Sequence, residues 1–259
     1  MITSLQNSTI KEVIKLSKSA ERKQQQLCVV EGNREVSIAQ QFGFDFVDIF
    51  VCHDIFKTDE EYPINFEGNF QVMEVSKEVY AKMSYRNGSE GIMAVINTNE
   101  NKVRNFEPNE NSLVLVLESI EKPGNIGAML RTADATKVDA VILCNAVTDV
   151  FNPNAIRSSL GCVFAVPIFT SNSDACVEFL IQHNFQILVA SLQTENNFYH
   201  QNLKTKTAIV FGSESDGLSE VWYQNTTPVK LPMSGKIDSL NVSASCAAML
   251  FEAVRQKMQ

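Results

Sequence analysis

Long apolar runs are missing from this sequence. Stretches such as Leu113-Val-Leu-Val-Leu117 have the length of a strand, far short of the roughly 18 residues that a membrane span needs. The opening Met-Ile-Thr-Ser-Leu-Gln-Asn has no basic segment leading into an apolar core, so no export signal is read and the expected location is the cytoplasm. There are six cysteines, Cys28, Cys52, Cys144, Cys162, Cys176 and Cys246, but no two stand two or three residues apart. That excludes zinc-type spacing, and no metal is expected. Most lie between apolar neighbours, as in Leu27-Cys28-Val29, where a reduced thiol packs as a small hydrophobe. Histidine is scarce, and His53, His183 and His200 are far apart. Spacing alone leaves a nucleophilic triad open, yet none of its usual local signatures accompanies them. Positive charge is also short: 22 Lys and Arg against 30 Asp and Glu leave a net charge of −8. Such a balance argues against an all-over electrostatic grip on nucleic acid.

What is present is ordinary for a globular chain. Of 259 residues, 44% are hydrophobic and 20% charged, enough for a real core and long enough for two domains of unequal size. Charge is unevenly spread. Between Met1 and Arg34, Lys11, Lys15, Lys18, Arg22, Lys23 and Arg34 face only Glu12, Glu21 and Glu31, six minus three, or +3. A solvated helix face is the commoner cause of such a run, and an RNA-facing patch is the alternative.

Alternating patterns place a small α/β unit over residues 1–98. It has polar helices over 8–24, strands at 27–30, 47–52, 70–75 and 91–96, a helix from Asn33 as its cap to Phe42, and another from Ser76 to Met83. Residues 99–111 are polar and read as a linker. From 112 to 259 apolar strands alternate with helices: strands at 113–117, 140–143, 163–169, 187–191 and 208–211, and helices over 125–136, 174–183 and 243–257. Continuous apolar strands separated by helices predict a parallel sheet covered on both faces, with its chemistry in the loops after Leu117, Phe211 and Leu231.

Three loops carry the signal. In Glu118-Ser-Ile-Glu-Lys-Pro-Gly-Asn-Ile-Gly-Ala-Met-Leu-Arg131, the residues Asn125, Gly127 and Arg131 form N-x-G-x-x-x-R. Its glycines permit a tight turn and Asn125 is suited to cap the helix. In Phe211-Gly-Ser-Glu-Ser-Asp-Gly-Leu218, Gly212 and Gly217 have the outer spacing of a phosphate-binding P-loop. Leu218 stands where that loop needs lysine, which excludes an NTPase. In the third loop Ser239, Asn241 and Ser243 gather short hydrogen-bonding side chains at the start of the last helix, where a plain N-cap cluster is the simpler explanation. A nicotinamide enzyme is disfavoured, because Gly124-x-x-Gly127 lacks the G-x-G-x-x-G spacing.

Taken together and in this order, the three loops resemble the SpoU-type (TrmH-like) RNA ribose methyltransferases of the SPOUT class. The segment Phe151-Asn-Pro-Asn-Ala-Ile-Arg157 followed by Val166-Pro167 is similar to the family's intervening stretch, and the first 98 residues resemble its small ribosomal-protein-like RNA-binding domain. The chain departs from the family at Glu121-Lys122-Pro123, where an acidic residue commonly precedes the proline, and at Gly212-Ser-Glu-Ser215. The resemblance implies an α/β fold, a parallel-sheet domain with a deep trefoil knot, and a homodimer. It implies S-adenosylmethionine as cofactor, held around Leu192, Gly212, Leu231, Met233 and Leu240, and methyl transfer by Asn125, Arg131, Glu214, Ser239 and Asn241. It promotes Lys15, Arg22, Lys23 and Arg34 to RNA-docking candidates. Ribosomal RNA is favoured as substrate over tRNA, and the rival is an RNA-binding protein of this type that has lost catalysis.

Overall fold

The computed structural model describes residues 1–85, 90–98, 101–224 and 226–259. The chain forms two compact units. The first is Met1–Asn99 together with Asp149–Ala165, and the second is Glu100–Thr148 with Val166–Gln259.

In the first unit, α1 (Ser8–Lys15) starts where Asn7 Oδ1 accepts from Thr9 N at 2.9 Å, and it buries Ile10 and Val13. Next come α2 (Ser19–Gln25), β1 (Leu27–Glu31), α3 (Asn33–Gln41), β2 (Phe46–Val51), β3 (Gln71–Glu74), α4 (Lys77–Met83) and β4 (Ile92–Asn97). The sheet order is β1-β4-β2-β3, with β4 antiparallel to both its neighbours and β3 parallel to β2. Central β4 is buried from Ile92 to Ile96, in keeping with its unbroken apolar run. The helix expected to be capped by Asn33 is instead capped by Gly32, at φ 112. Asn33 is the first helical residue, and its side chain turns aside to donate to Lys57 O at 3.1 Å.

The second unit contains β5 (Asn101–Lys102), β6 (Leu113–Glu118), α5 (Pro123–Ala135) and β7 (Ala140–Cys144). Helices α6 (Pro153–Ser158) and α7 (Cys162–Ala165) follow in the chain but belong to the first unit. The second unit resumes with β8 (Ile168–Ser171), α8 (Ser173–Gln182), β9 (Gln186–Ala190), β10 (Thr207–Phe211), β11 (Thr227–Val229) and α9 (Val242–Lys257). Its seven strands are all parallel, in the order β11-β9-β10-β6-β7-β8-β5. Every residue of β6, β7 and β10 is buried, which is why these strands read as continuous apolar runs. Each such Val, Leu or Ile contributes about 1.5–3 kcal/mol of hydrophobic stabilisation.

Three expectations are corrected here. Of the stretch read as a linker, residues 99 and 100 lie outside the described residues, and the rest includes β5, paired with β8, and a 3-10 turn whose Val103 and nearby Phe106 are buried in the larger unit's core. A polar composition hid two apolar anchors. The strand expected over 163–169 begins only at Ile168. Residues 162–165 are a helical turn that buries Val163 and Phe164, with Phe164 packed edge-on against Phe44 at 5.0 Å. Asp149–Ala165, expected inside the second domain, belongs to the first unit. As for the cysteines, all six are free thiols, five buried and Cys162 half-buried.

Candidate active site

Strand order puts the chemistry where two runs of the chain diverge. From β6 the chain steps outward to β7 and β8, then returns to form β9 and β10 on the other flank. The carboxyl ends of β6 and β10 therefore flank a topological switch point, the usual place for a ligand crevice in a parallel sheet. The loop after β6 leads into α5, the loop after β10 carries Glu214, and the loop after β11 leads into α9, which packs against α5.

All three loops converge on one carboxylate. Glu214 Oε1 accepts from Asn125 Nδ2 at 2.9 Å and from Asn241 Nδ2 at 3.3 Å, and Glu214 Oε2 accepts from Lys122 Nζ. Asn241 Nδ2 also lies 3.4 Å from Asn125 Oδ1. Lys122, and to a lesser degree Asn125, hold the Glu214 carboxyl below the usual carboxylate range, and Glu214 in turn raises the Lys122 ammonium. The ion pair is open to solvent, with side chains 68% and 32% exposed, and such pairs add little stability. Its place in the structure is better explained by what it orients.

Asn125 does not cap its helix as expected. Helix α5 begins at Pro123 with Lys122 in the capping position, so the Asn125 amide is released toward Glu214. Asn241 does both jobs. Its Oδ1 caps α9 by accepting from Ser243 N at 2.9 Å, which leaves its amide nitrogen to face the other loops. Ser239 donates to Asp238 Oδ1 at 3.1 Å and stands apart from the Glu214 network. Arg131 is exposed on α5 and makes no hydrogen bond or ion pair with any described residue. Lys122 belongs to this Glu214 network although the sequence pointed to it only as a departure from the family pattern. Its position directly before the helix-opening Pro123 was the available signal.

Beside this network lies an open cleft of about 610 Å³, lined by Leu192, Gly212, Glu214, Leu231, Met233, Ser239 and Leu240 among others. The loop after β10 folds back as a miniature hairpin, with Ser213 N donating to Gly217 O at 3.0 Å and Gly217 N to Ser213 O at 3.1 Å. A Cβ on Gly212 would meet Gly217 O at 2.3 Å, so the hairpin closes only over glycine. Among the described residues no group of three or more His, Cys, Asp or Glu side chains is arranged to hold a metal ion. Nor, among them, is any helix long and apolar enough to cross a membrane.

In the first unit the four basic residues singled out for RNA differ sharply. Lys15 and Lys23 are exposed, Lys15 pairing with Glu12 at 2.7 Å. Arg34 is half-buried, its guanidinium 4.6 Å from the centre of the Tyr62 ring. Arg22 is 2% exposed and cannot meet RNA. Its Nε donates to Asp149 Oδ2 at 2.7 Å, and its Nη1 to Leu16 O at 2.8 Å and Ser17 O at 2.9 Å. The expectation that Arg22 docks RNA is corrected, because it is a structural cation.

Residues 112–251 match the model of the SpoU rRNA Methylase family, which covers more than half of the chain and all three loops. The chain belongs to that family. Residues 7–94 of this SpoU-family chain also match an MRM3-like substrate binding domain. An uncharacterised tRNA/rRNA methyltransferase of Synechocystis is 31% identical over 99% of the chain and 94% of its own length. A 23S rRNA guanosine 2′-O-methyltransferase of Bacillus subtilis is 26% identical over 96% and 97%. A solved RNA 2′-O ribose methyltransferase superposes with a TM-score of 0.86 at 33% identity, covering 100% of the SpoU-family chain and 99% of its own.

Proposed function

We propose that this chain transfers a methyl group from S-adenosylmethionine to a ribose 2′-hydroxyl of structured RNA, with ribosomal RNA as the substrate. The observation that carries this reading is the meeting of Asn125, Asn241 and Lys122 on Glu214, at the edge of the cleft that Gly212, Leu231 and Leu240 line. The names of the similar proteins support it.

The cleft suits such a cofactor on its own chemistry. Leu192, Leu231, Met233 and Leu240 offer apolar walls for an adenosine, the glycine hairpin lets backbone approach closely, and Asp216, Asp238 and Glu214 place carboxylates in a lining that would receive a sulfonium cation. When bound, the cofactor supplies an electrophilic methyl. A Cβ at residue 212 must open the hairpin, so Gly212→Ala is expected to weaken cofactor binding at least tenfold while the protein stays folded. Calorimetric titration with S-adenosylmethionine checks this, and unchanged affinity would remove Gly212 from the site.

The protein's own residues do the rest. A ribose hydroxyl is a poor nucleophile, and holding it in line can contribute several kcal/mol, up to about 7–11 in ideal cases. Asn241 and Ser239 orient the ribose. Arg131 stabilises the developing alkoxide and grips the adjacent phosphate, while water or phosphate takes up the hydroxyl proton. An exposed arginine with no partner among the described residues fits a role completed by a bound molecule or a second subunit. We extend the reading to a homodimer and a trefoil knot, the dimer supported by Phe251, an aromatic side chain 52% exposed on α9.

The first unit would dock RNA through Lys15 and Lys23, since phosphate contacts position RNA without reading its sequence. The double variant Lys15→Gln/Lys23→Gln is expected to weaken RNA binding and to lower the slope of log affinity against log salt by about 1.4–1.8, at roughly 0.7–0.9 for each phosphate no longer neutralised. Filter-binding titrations between low and moderate salt read that slope. The proposal as a whole is tested by transfer of a tritiated methyl group from S-adenosylmethionine to purified ribosomal RNA and tRNA, followed by mapping of 2′-O-methyl positions. Label on tRNA alone would reassign the substrate, and label on neither would end the catalytic reading.

A further inference from the structure

At the carboxyl end of β6 lies a buried carboxylate that the mechanism above does not use. Glu118 is 3% exposed, and no cation pairs with it among the described residues. Its Oε2 accepts from Ser219 N at 2.8 Å, and its Oε1 accepts from Ser219 Oγ at 2.7 Å and from Ser173 Oγ. Asn145 Nδ2 donates to Ser173 Oγ at 2.8 Å. The chain of bonds Asn145–Ser173–Glu118–Ser219 thus joins the ends of β6 and β7, the first residue of α8, and the exit of the loop that carries Glu214.

We infer that Glu118 is a positioning residue for Glu214, an inference that rests on the reading of the cleft as a methyl-transfer site. Ser219 stands two residues beyond Gly217, where the glycine hairpin closes, so it fixes one end of the segment, and β10 fixes the other. A buried carboxylate is costly unless its lone pairs are satisfied, and this one is satisfied by neutral donors alone. Three accepted bonds, one of them from the N-terminus of α8 where the helix dipole favours negative charge, stabilise it. Folding therefore spends a desolvated charge on holding Ser219. What that hold delivers is the register of Glu214, and through Glu214 that of Asn125 and Asn241.

Glu118→Gln keeps the shape and removes the charge. Amides of residues 212–219 should then exchange with deuterium at least severalfold faster, with exchange in the first unit unaltered. The kcat for methyl transfer should fall roughly tenfold, the rate equivalent of one charge-assisted hydrogen bond, while the KM for RNA stays within about twofold. If Glu118→Gln does not fold, Ser219→Ala removes only the hydroxyl donor and should give the same pattern with a smaller loss. A lowered melting temperature with kcat and loop exchange at wild-type values would make Glu118 merely structural and overturn the inference. So would a rise in KM at constant kcat. If the wild-type protein itself transfers no methyl group, the proposed function has failed, and the exchange measurement alone decides whether Glu118 holds the loop.

Discussion

Arg131→Ala is expected to fold, to bind S-adenosylmethionine with wild-type affinity, and to transfer methyl groups about 10²–10³-fold more slowly. The size follows from the loss of the cation proposed to meet the oxygen where negative charge develops. Folding should be untouched, because Arg131 is exposed and makes no bond to any described residue. Arg131→Lys tests the geometry: a point charge without the planar fork should recover only part of the rate. Single-turnover kinetics with pre-bound cofactor separate chemistry from binding. Turnover near that of the wild type would move the oxyanion role away from this residue and leave Arg131 as a phosphate contact at most.

The second large effect is on stability. Arg22→Ala leaves Asp149, its side chain only 11% exposed, without its cation, and leaves the carbonyls of Leu16 and Ser17 without a side-chain donor among the described residues. Removing one partner of a buried pair costs about 3–5 kcal/mol, so the first unit should unfold well before the second. Urea titration followed by circular dichroism would show an early transition that the wild type lacks. Arg22→Met combined with Asp149→Leu should recover part of the stability, since an apolar pair of similar volume avoids the orphaned charge. The recovery is incomplete because the two carbonyls remain unpaired. If Arg22→Ala melts with the wild type, the pair contributes nothing and the view of Arg22 as a structural cation falls.

These two arginines mark where the sequence is legible and where it is not. Arg131 stands out as a candidate because it lies in a local pattern, six residues after Asn125 on one helix. The same holds for Gly212, whose need for a missing Cβ shows in the spacing of the glycine loop. The buried strands are readable because β6, β7 and β10 are apolar at nearly every position. Arg22 misleads because its partner lies 127 residues away, and no local pattern distinguishes a cation destined for burial from one destined for solvent. Asn125 suggests a cap because capping is local. Its bond to Glu214 spans 89 residues and becomes visible only when the loops are brought together. The 3-10 turn at Val103 and the helix at Cys162 escape for a related reason, because two or three apolar anchors decide them against the composition of the surrounding segment.

The excursion of the chain between β7 and β8 constrains how the molecule can be taken apart. A fragment cut after residue 98 would contain Arg22 but not Asp149, and Phe44 but not Phe164. Excised in that way, the smaller unit would lose both the counter-charge and the aromatic lid of its own interior. A graft of this unit onto another catalytic domain therefore has to carry Asp149–Ala165 with it, as a second, discontinuous piece.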